Sequence, residues 1–401
     1  MVKVIVGTQF GDEGKGRAIE LLAPDVSVVA RYQGGANAGH TIYVNGEAIV
    51  FRLVPSGIIY PHILCVMGNG MVIDIAELMS ELELLKSKGI KFEHRFFISH
   101  HANVVMPYHK LRDDTAGSIG TTHKGIGPCY EDKYARKGIR IIDLIYPELL
   151  KKKLTQNLQS SNFDSIYEQY KAFGEYIAPF VVDTSLLLNQ WIDDGKEVLL
   201  EGAQGLLLDI DHGTYPFVTS SHPHSGGACC GLGVAPTKID EVIGITKAYI
   251  TRVGNGPLPT QLPAEIEEKI RAKGKEYGAT TGRPRRCGWF DAVLGKRAIM
   301  LNDIKKIILT KLDVLDDLSE IKICTAYKPD NSKLFSICEL ASGVEPVYET
   351  LPGWKTPTTH IKSYTDLPRA AQNYIERIKE LLNVELIAIC VGPTREDTIL
   401  V

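Results

Sequence analysis

The chain opens on a short apolar run, Val2, Val4, Ile5 and Val6, that reads as a buried strand. Similar apolar or β-branched runs recur at 26–30, 63–67, 96–99, 198–200, 243–251, 307–309 and 386–390. Between them the period changes. Ile75, Leu78, Leu82 and Leu85 repeat at helical spacing and are closed by Gly89. A short helix over 17–22 is ended by Pro24, and residues 147–176 are helical and polar. Asp183 or Thr184 caps a helix that stops at Gly195. The residues after His40 alternate around Asn45-Gly46, a strong hairpin signal. Residues 102–137 show little periodicity and read as a long functional loop. Strands alternating with helices predict an α/β fold: a large, mostly parallel central β-sheet flanked by helices, P-loop-NTPase-like, with β-hairpin and helical excursions. No repeat, low-complexity tract or linker divides the chain, so 1–401 is read as a single domain.

Two strands break into glycine. The first gives VGTQFGDEGKG, ending at Gly16; the second gives the loop Gln33 to His40. A strand that turns through glycines into a helix offers backbone N–H groups to an anion at the helix N-terminus. Lys15 adds a mobile positive charge. The run is not a standard P-loop: Gly7 to Gly14 is too long a spacing, and Gly16 stands where a hydroxyl residue would meet Mg²⁺. Asp12 is then the nearest carboxylate able to take that ion. Taken alone, the stretch is also compatible with a glycine-rich surface turn. In a parallel sheet both loops would emerge at the carboxyl edge, where ligands bind.

Composition narrows the class. Among 401 residues, 45 Lys+Arg nearly balance 48 Asp+Glu, which gives no sign of a general nucleic-acid or membrane-surface binder. No apolar run is long enough to span a bilayer, and no leader-like segment opens the chain. Eight scattered cysteines, none in a C-x-x-C pair, suggest free thiols in a reducing cytoplasm. His222, His224, Cys229 and Cys230 cluster in sequence, but adjacent cysteines and these spacings do not match a zinc site.

Three further stretches carry candidate chemistry. Lys124, Lys133, Arg136 and Lys137 could hold a phosphate, or form a solvated basic loop. Arg283, Arg285 and Arg286 crowd beside glycine and two threonines, which suits planar carboxylate or phosphate recognition. Asp313, just past the strand at 307–309, could accept two N–H donors from the Watson–Crick edge of guanine, a pair that adenine lacks. K-x-D by itself is a weak signal.

In chain order, GDEGKG, QGGANAGHT, GTTHKGIGPCYEDK, EGAQG, DIDHGTYPFVTSS, GATTGRPRR, TKLDVLD and VGP resemble the adenylosuccinate synthetase family over nearly the whole chain. The resemblance implies a ligase that joins L-aspartate to IMP at the expense of GTP. The γ-phosphoryl group passes to O6 of IMP, and the aspartate amine then displaces it at C6. By motif, Asp12 matches the base and His40 the acid, assisted by Lys15 and Gln204. One Mg²⁺ would be held by Asp12 and the backbone of Gly39. GTP contacts are implied for Gly11, Glu13, Gly14, Lys15, Gly16, Arg17, Gly39, Thr41, Arg285, Lys311, Asp313, Cys390, Val391 and Gly392. IMP contacts are implied for Asp12, Lys15, Asn37, His40, Thr122, Arg136, Gln204, Thr219 and Arg283. The aspartate loop would be Ala279, Thr280, Thr281, Gly282, Arg283 and Arg285. Arg136 would reach the IMP site of a partner subunit, which implies a homodimer in the cytoplasm. The chain is shorter than the usual bacterial member, partly through loss of a basic segment before GTTHKG. Pro284 and Cys390 stand where arginine and a small hydroxyl residue are commoner. A non-catalytic guanine-nucleotide binder on the same scaffold is the alternative.

Overall fold

The computed structural model describes residues 1–44, 47–114, 120–158, 162–278, 282–329, 337, 340 and 343–401. It is an α/β fold with a large, mostly parallel sheet of ten strands among the described residues. The chain divides into two compact units. The first holds Met1–Lys3, Leu22–Gly202 and Gly226–Asp240; the second holds Val4–Leu21, Ala203–Ser225 and Glu241–Val401.

In the first unit, parallel strands run in the order Val198–Glu201, Val28–Arg31, Leu64–Met67, Phe96–Ser99 and Val181–Val182. Every residue of Val198–Glu201 and Val28–Arg31 is buried. Such strands read as continuous apolar runs because both faces are covered. Their last residues are polar, and the register sets Glu201 opposite Arg31. The helix Ile75–Ser87 forms as its spacing predicts: Asp74 caps it, and Ile75, Leu78, Leu82 and Leu85 are buried. Thr184–Asp193 is capped by Asp183, which accepts from Ser185 N and Leu186 N. The hairpin strands His40–Val44 and Glu47–Phe51 pair antiparallel; the Asn45-Gly46 turn lies outside the described residues.

Residues 102–137 are not a loop throughout. They hold the helices Pro107–Asp114 and Ile126–Tyr134. Pro107–Asp114 buries His109 and Asp113, so its inward face is polar and gives no apolar period. His109 Nδ1 accepts from Met106 N (2.9 Å), so its Nε2 donates to Asp132 Oδ2 (3.0 Å), and Arg112 donates to Asp132 Oδ1 (2.8 Å), which joins the two helices.

In the second unit, Glu241–Lys247, Lys306–Thr310 and Glu385–Cys390 run parallel, and Thr398–Leu400 pairs antiparallel at the edge. The end of Val2–Gly7 lies beside Glu241–Lys247, where Thr8 N donates to Ile245 O (3.0 Å). The apolar run 243–251 is two strands, not one. After Lys247 the chain leaves the sheet, and Ile250–Arg252 pairs with Arg286–Gly288. The Gln9 side chain marks the break by donating to Lys247 O (3.2 Å) and Tyr249 O (3.1 Å). A three-stranded sheet, Phe290–Asp291, Glu320–Lys328 and Glu345–Pro352, completes this unit with the helices Ala292–Asn302 and Arg369–Leu382.

Candidate active site

In the second unit the first glycine loop closes around a carboxylate. Glu13 is fully buried. Its Oε1 accepts from Gln9 N (3.0 Å) and Gly11 N (2.9 Å), and its Oε2 accepts from Lys15 Nζ (2.8 Å). Two glycines make this possible. A Cβ on Gly7 would lie 2.3 Å from Glu13 Oε2, and one on Gly205 would lie 2.4 Å from Oε1. Two of the loop amides are therefore held by the protein's own carboxylate. Lys15 also donates to Gln204 O, so these two residues are brought together. Thr310 Oγ1 donates to Glu13 O (2.6 Å) and seats the loop on the end of Lys306–Thr310.

Asp12 and Gln204 both have positive φ, 59° and 56°, a conformation that side chains other than glycine rarely adopt and that clusters at functional sites. The Asp12 side chain is one-third exposed, at 33%, and its Oδ2 lies 2.9 Å from Arg285 Nε. Mg²⁺ takes one or two carboxylates and fills its shell with water and phosphate oxygens. Asp12 is of that type and accessible, whereas the loop's other carboxylate, Glu13, is buried and engaged.

Arg285 leads to a second buried carboxylate. The helix Ala264–Gly274 ends on Lys275 at φ 50°, and this left-handed turn brings Glu276 inward. Glu276 Oε1 accepts from Lys311 Nζ (2.8 Å), Lys247 Nζ (3.3 Å) and the Tyr249 hydroxyl. Its Oε2 accepts from Arg285 Nη1 (2.6 Å). Burial alone would raise Glu276, but Lys247, Lys311 and Arg285 outweigh it and hold the acid well below the usual carboxylate range. Lys247 is lowered to about 8, mainly by complete burial. Burial opposes the charge on Arg285, yet Asp12 and Glu276 hold it above its ordinary value. Asp313 lies half-buried in the turn Leu312–Leu315, its carboxyl raised to about 6 by burial and by Asp316.

The remaining expected residues of this unit are spread around these groups. Gly16 opens the helix Lys15–Leu22, and Arg17 pairs with Glu20 (2.7 Å) and donates to Thr398 (3.1 Å). Cys390 and Val391 are buried. A Cβ on Gly392 would meet Asp397 at 2.7 Å. Thr219 N donates to Leu208 O (2.8 Å). Arg283 lines a cleft of about 450 Å³ with Gly254, Asn255, Gly256, Pro284 and Arg286. Arg286 shapes its floor by donating to Gly254 O (3.0 Å) and Gly256 O (2.7 Å). Gly282 is exposed; Ala279, Thr280 and Thr281 lie outside the described residues.

In the first unit the centre is His40. It is buried, and its Nδ1 contacts Glu201 Oε1. Glu201 is fully buried at the end of its strand and also accepts from Ser56 N (2.9 Å) and Ser56 Oγ (2.8 Å). Burial would raise Glu201, but the charge and hydrogen bond of His40, with Arg31, hold it below the usual range. A carboxylate on Nδ1 fixes the ring and directs Nε2 away from the pair. Asn37 Oδ1 accepts from Gly35 N (3.1 Å), Gly39 is half-buried and Thr41 is exposed. Thr122 is half-buried, and Arg136 is exposed just past the helix Ile126–Tyr134 at φ 63°. The three lysines grouped with Arg136 as a phosphate clamp have partners: Lys124 with Glu77 (3.2 Å), Lys133 with Asn69 O (3.3 Å) and Lys137 with Asp132 (3.3 Å).

Sequence reasoning passed over Glu201, Glu276 and Lys247. Glu201 and Lys247 lay in plain view as charges beside or inside an apolar run; Glu276, in the polar stretch KGKEYG, carried no such signal.

A glycine loop with Lys15 and Asp12, set at the end of an α/β sheet beside Arg285, Lys311 and Asp313, defines a nucleotide-binding α/β protein. The family model for adenylosuccinate synthetase matches residues 4–399. The chain belongs to the adenylosuccinate synthetase family, GTP-dependent ligases of AMP biosynthesis. It is 49% identical over 418 residues to adenylosuccinate synthetase of Pelodictyon phaeoclathratiforme, covering 99% of this chain and 96% of that one. The Synechococcus elongatus relative is 47% identical over 426 residues, covering 99% and 94%. The fully ligated adenylosuccinate synthetase of Plasmodium falciparum superposes with a TM-score of 0.94 at 38% identity, covering 100% of this chain and 99% of that one. Cyanophage S-2L succinoaminodeoxyadenylate synthetase shares the fold at a TM-score of 0.67 and 20% identity, covering 100% and 95%. Among the described residues no helix is long and apolar enough to cross a membrane.

Proposed function

We propose that this protein catalyses GTP + IMP + L-aspartate → adenylosuccinate + GDP + phosphate through 6-phosphoryl-IMP. Asp12 removes the N1 proton of IMP, so that O6 attacks the γ-phosphorus and GDP departs. The aspartate amine then attacks C6 and phosphate leaves. His40 hydrogen-bonds the transferring phosphate and acts as acid. Lys15 and Gln204 assist. Asp12 and the Gly39 backbone would hold Mg²⁺, which when bound neutralises charge on the phosphates. Lys311 and Arg285 contact the nucleotide, and Asp313 selects guanine. Arg283 and the 279–282 loop receive aspartate. Residues 1–401 act as one domain, in a cytoplasmic homodimer whose Arg136 reaches the partner's IMP.

The observation that carries this reading is the buried His40–Glu201 pair. A histidine held at Nδ1 by an ionised carboxylate, with Nε2 directed elsewhere, is built to give and take a proton. The exposure of Arg136 is compatible with its reaching another chain.

Ultraviolet difference spectroscopy of IMP conversion, with Mg²⁺, GTP and L-aspartate each omitted in turn, tests the reaction. Product should require all of them, and Asp12→Ala should abolish turnover while the circular dichroism melt is kept. Binding of GTP and IMP without turnover in the complete mixture would favour the non-catalytic alternative. In the same assay, Arg136→Leu mixed with Asp12→Ala should regain part of the activity. No regain would mean that each site is built from a single subunit.

A further inference from the structure

Asp209, His222 and His224 meet in the second unit, on the loop that also carries Thr219. Asp209 is fully buried. Its Oδ1 accepts from Asp211 N (2.9 Å) and His212 N (3.1 Å). Its Oδ2 is buried, has no close hydrogen-bond donor among the described residues and faces two imidazoles: His222 Nδ1 at 3.5 Å and His224 Nε2 at 3.8 Å. One ligand atom from each of the three residues lies within 4.8 Å of the others. We propose that Asp209, His222 and His224 bind one divalent transition-metal ion.

The geometry is close to what such an ion needs. Ligand bonds of about 2.0–2.1 Å in a tetrahedron put neighbouring ligand atoms ~3.3 Å apart. The two rings are 31% and 21% exposed and can close the difference. Two imidazole nitrogens with one carboxylate oxygen suit Zn²⁺, Co²⁺, Ni²⁺ or Cu²⁺; Mg²⁺ prefers oxygen alone. The Asp211 and His212 amides on Oδ1 orient the carboxylate, as outer-shell groups do around bound metals. The adjacent cysteines, which made zinc unconvincing in the sequence, are not needed: Asp209, more than ten residues upstream, supplies the third ligand.

The ion would close a loop already latched on either side of Asp209. Thr219 N donates to Leu208 O (2.8 Å), and Ile210 N donates to Ser221 O (3.3 Å). The role is structural, and the site is separate from the Mg²⁺ proposed at Asp12.

The test is titration of the chelator-stripped full chain with Co²⁺ in excess Mg²⁺, which blocks oxygen-only sites. One equivalent should bind, with visible ligand-field absorption that Zn²⁺ bleaches and with a raised melting temperature. His222→Ala/His224→Ala should lose the absorption and the thermal shift while melting like the metal-free parent. Cys229→Ser/Cys230→Ser should keep both. Absence of stoichiometric binding in the parent would overturn the proposal and leave Asp209 as a loop organiser with two imidazole neighbours. So would absorption that survives the histidine variant or vanishes in the cysteine variant.

Discussion

Glu201 and Glu276 are the same residue type, both fully buried, one in each unit, and their surroundings differ in kind. Glu201 is matched to His40, to the Ser56 amide and hydroxyl, and to the field of Arg31. Glu276 is ringed by Lys247, Lys311, Arg285 and Tyr249. The nearest partner of Glu201 is an imidazole, a side chain able to give or take a proton; those of Glu276 are two amines, a guanidinium and a phenol. The first carboxylate orients the proposed proton donor. The second is framework, fixing the directions of Lys311 and Arg285. Desolvation penalises both, and each stays ionised because its partners outweigh that penalty. With folded values below their unfolded ones, both contribute stability above about pH 4.3, and that contribution is lost as pH falls through the folded values.

The sharpest way to break the comparison is Glu276→Gln. It leaves Lys247, Lys311 and Arg285 without their common anion, and should cost about 3–5 kcal/mol of stability in a denaturant melt. Guanine-nucleotide binding should weaken with it, because two of the freed cations, Lys311 and Arg285, are the proposed nucleotide contacts. An unchanged melt would deny Glu276 its framework role. Glu201→Gln should do the converse. Its fold should survive better, because the amide can still hydrogen-bond His40 and Ser56, while kcat falls by roughly 10²–10⁴-fold. The basic limb of the kcat profile should also move to lower pH, since the lost negative charge favoured a protonated His40. A lower kcat with no movement of that limb would reduce Glu201 to a packing role.

A smaller effect sharpens the contrast with Asp313, a half-buried carboxylate whose nearby lysines, Lys311 and Lys273, do not outweigh its burial. Burial and Asp316 raise Asp313 to about 6, so the folded protein holds its proton more tightly than the unfolded chain does. Between about pH 4 and 6 this group alone therefore lowers stability as pH rises. Guanine's two donors need the ionised form. GTP affinity should fall below pH 6, by up to about tenfold per pH unit, and GTP binding near pH 6 should release a proton measurable by calorimetry in two buffers. A flat pH dependence would remove Asp313 from guanine recognition.

Local chemistry explains what could be read in advance and what could not. The helix Ile75–Ser87 was legible because its stripe and its Asp74 cap are local. The helix Pro107–Asp114 was not, because its buried face is His109, held by the distant Asp132, and Asp113, which accepts from Gly125 N. The apolar run 243–251 hid a break at Lys247, since the Gln9 amide that takes over its carbonyls lies 238 residues away. The Asp209 cluster was not legible either, because its buried carboxylate comes from the other end of a loop that only the fold closes.

By itself the sequence determined the α/β alternation, the two glycine loops and the motif order that carries the family resemblance. These depend on periodicity, on backbone conformations open to glycine and on residue types at short spacing, all written along the chain. Only the tertiary structure decided which charge each buried charge meets: Glu13 inside its own loop, His40 on Glu201, and Arg285 between Asp12 and Glu276. Desolvation is what makes those pairings compulsory, and it acts only once folding has removed the water.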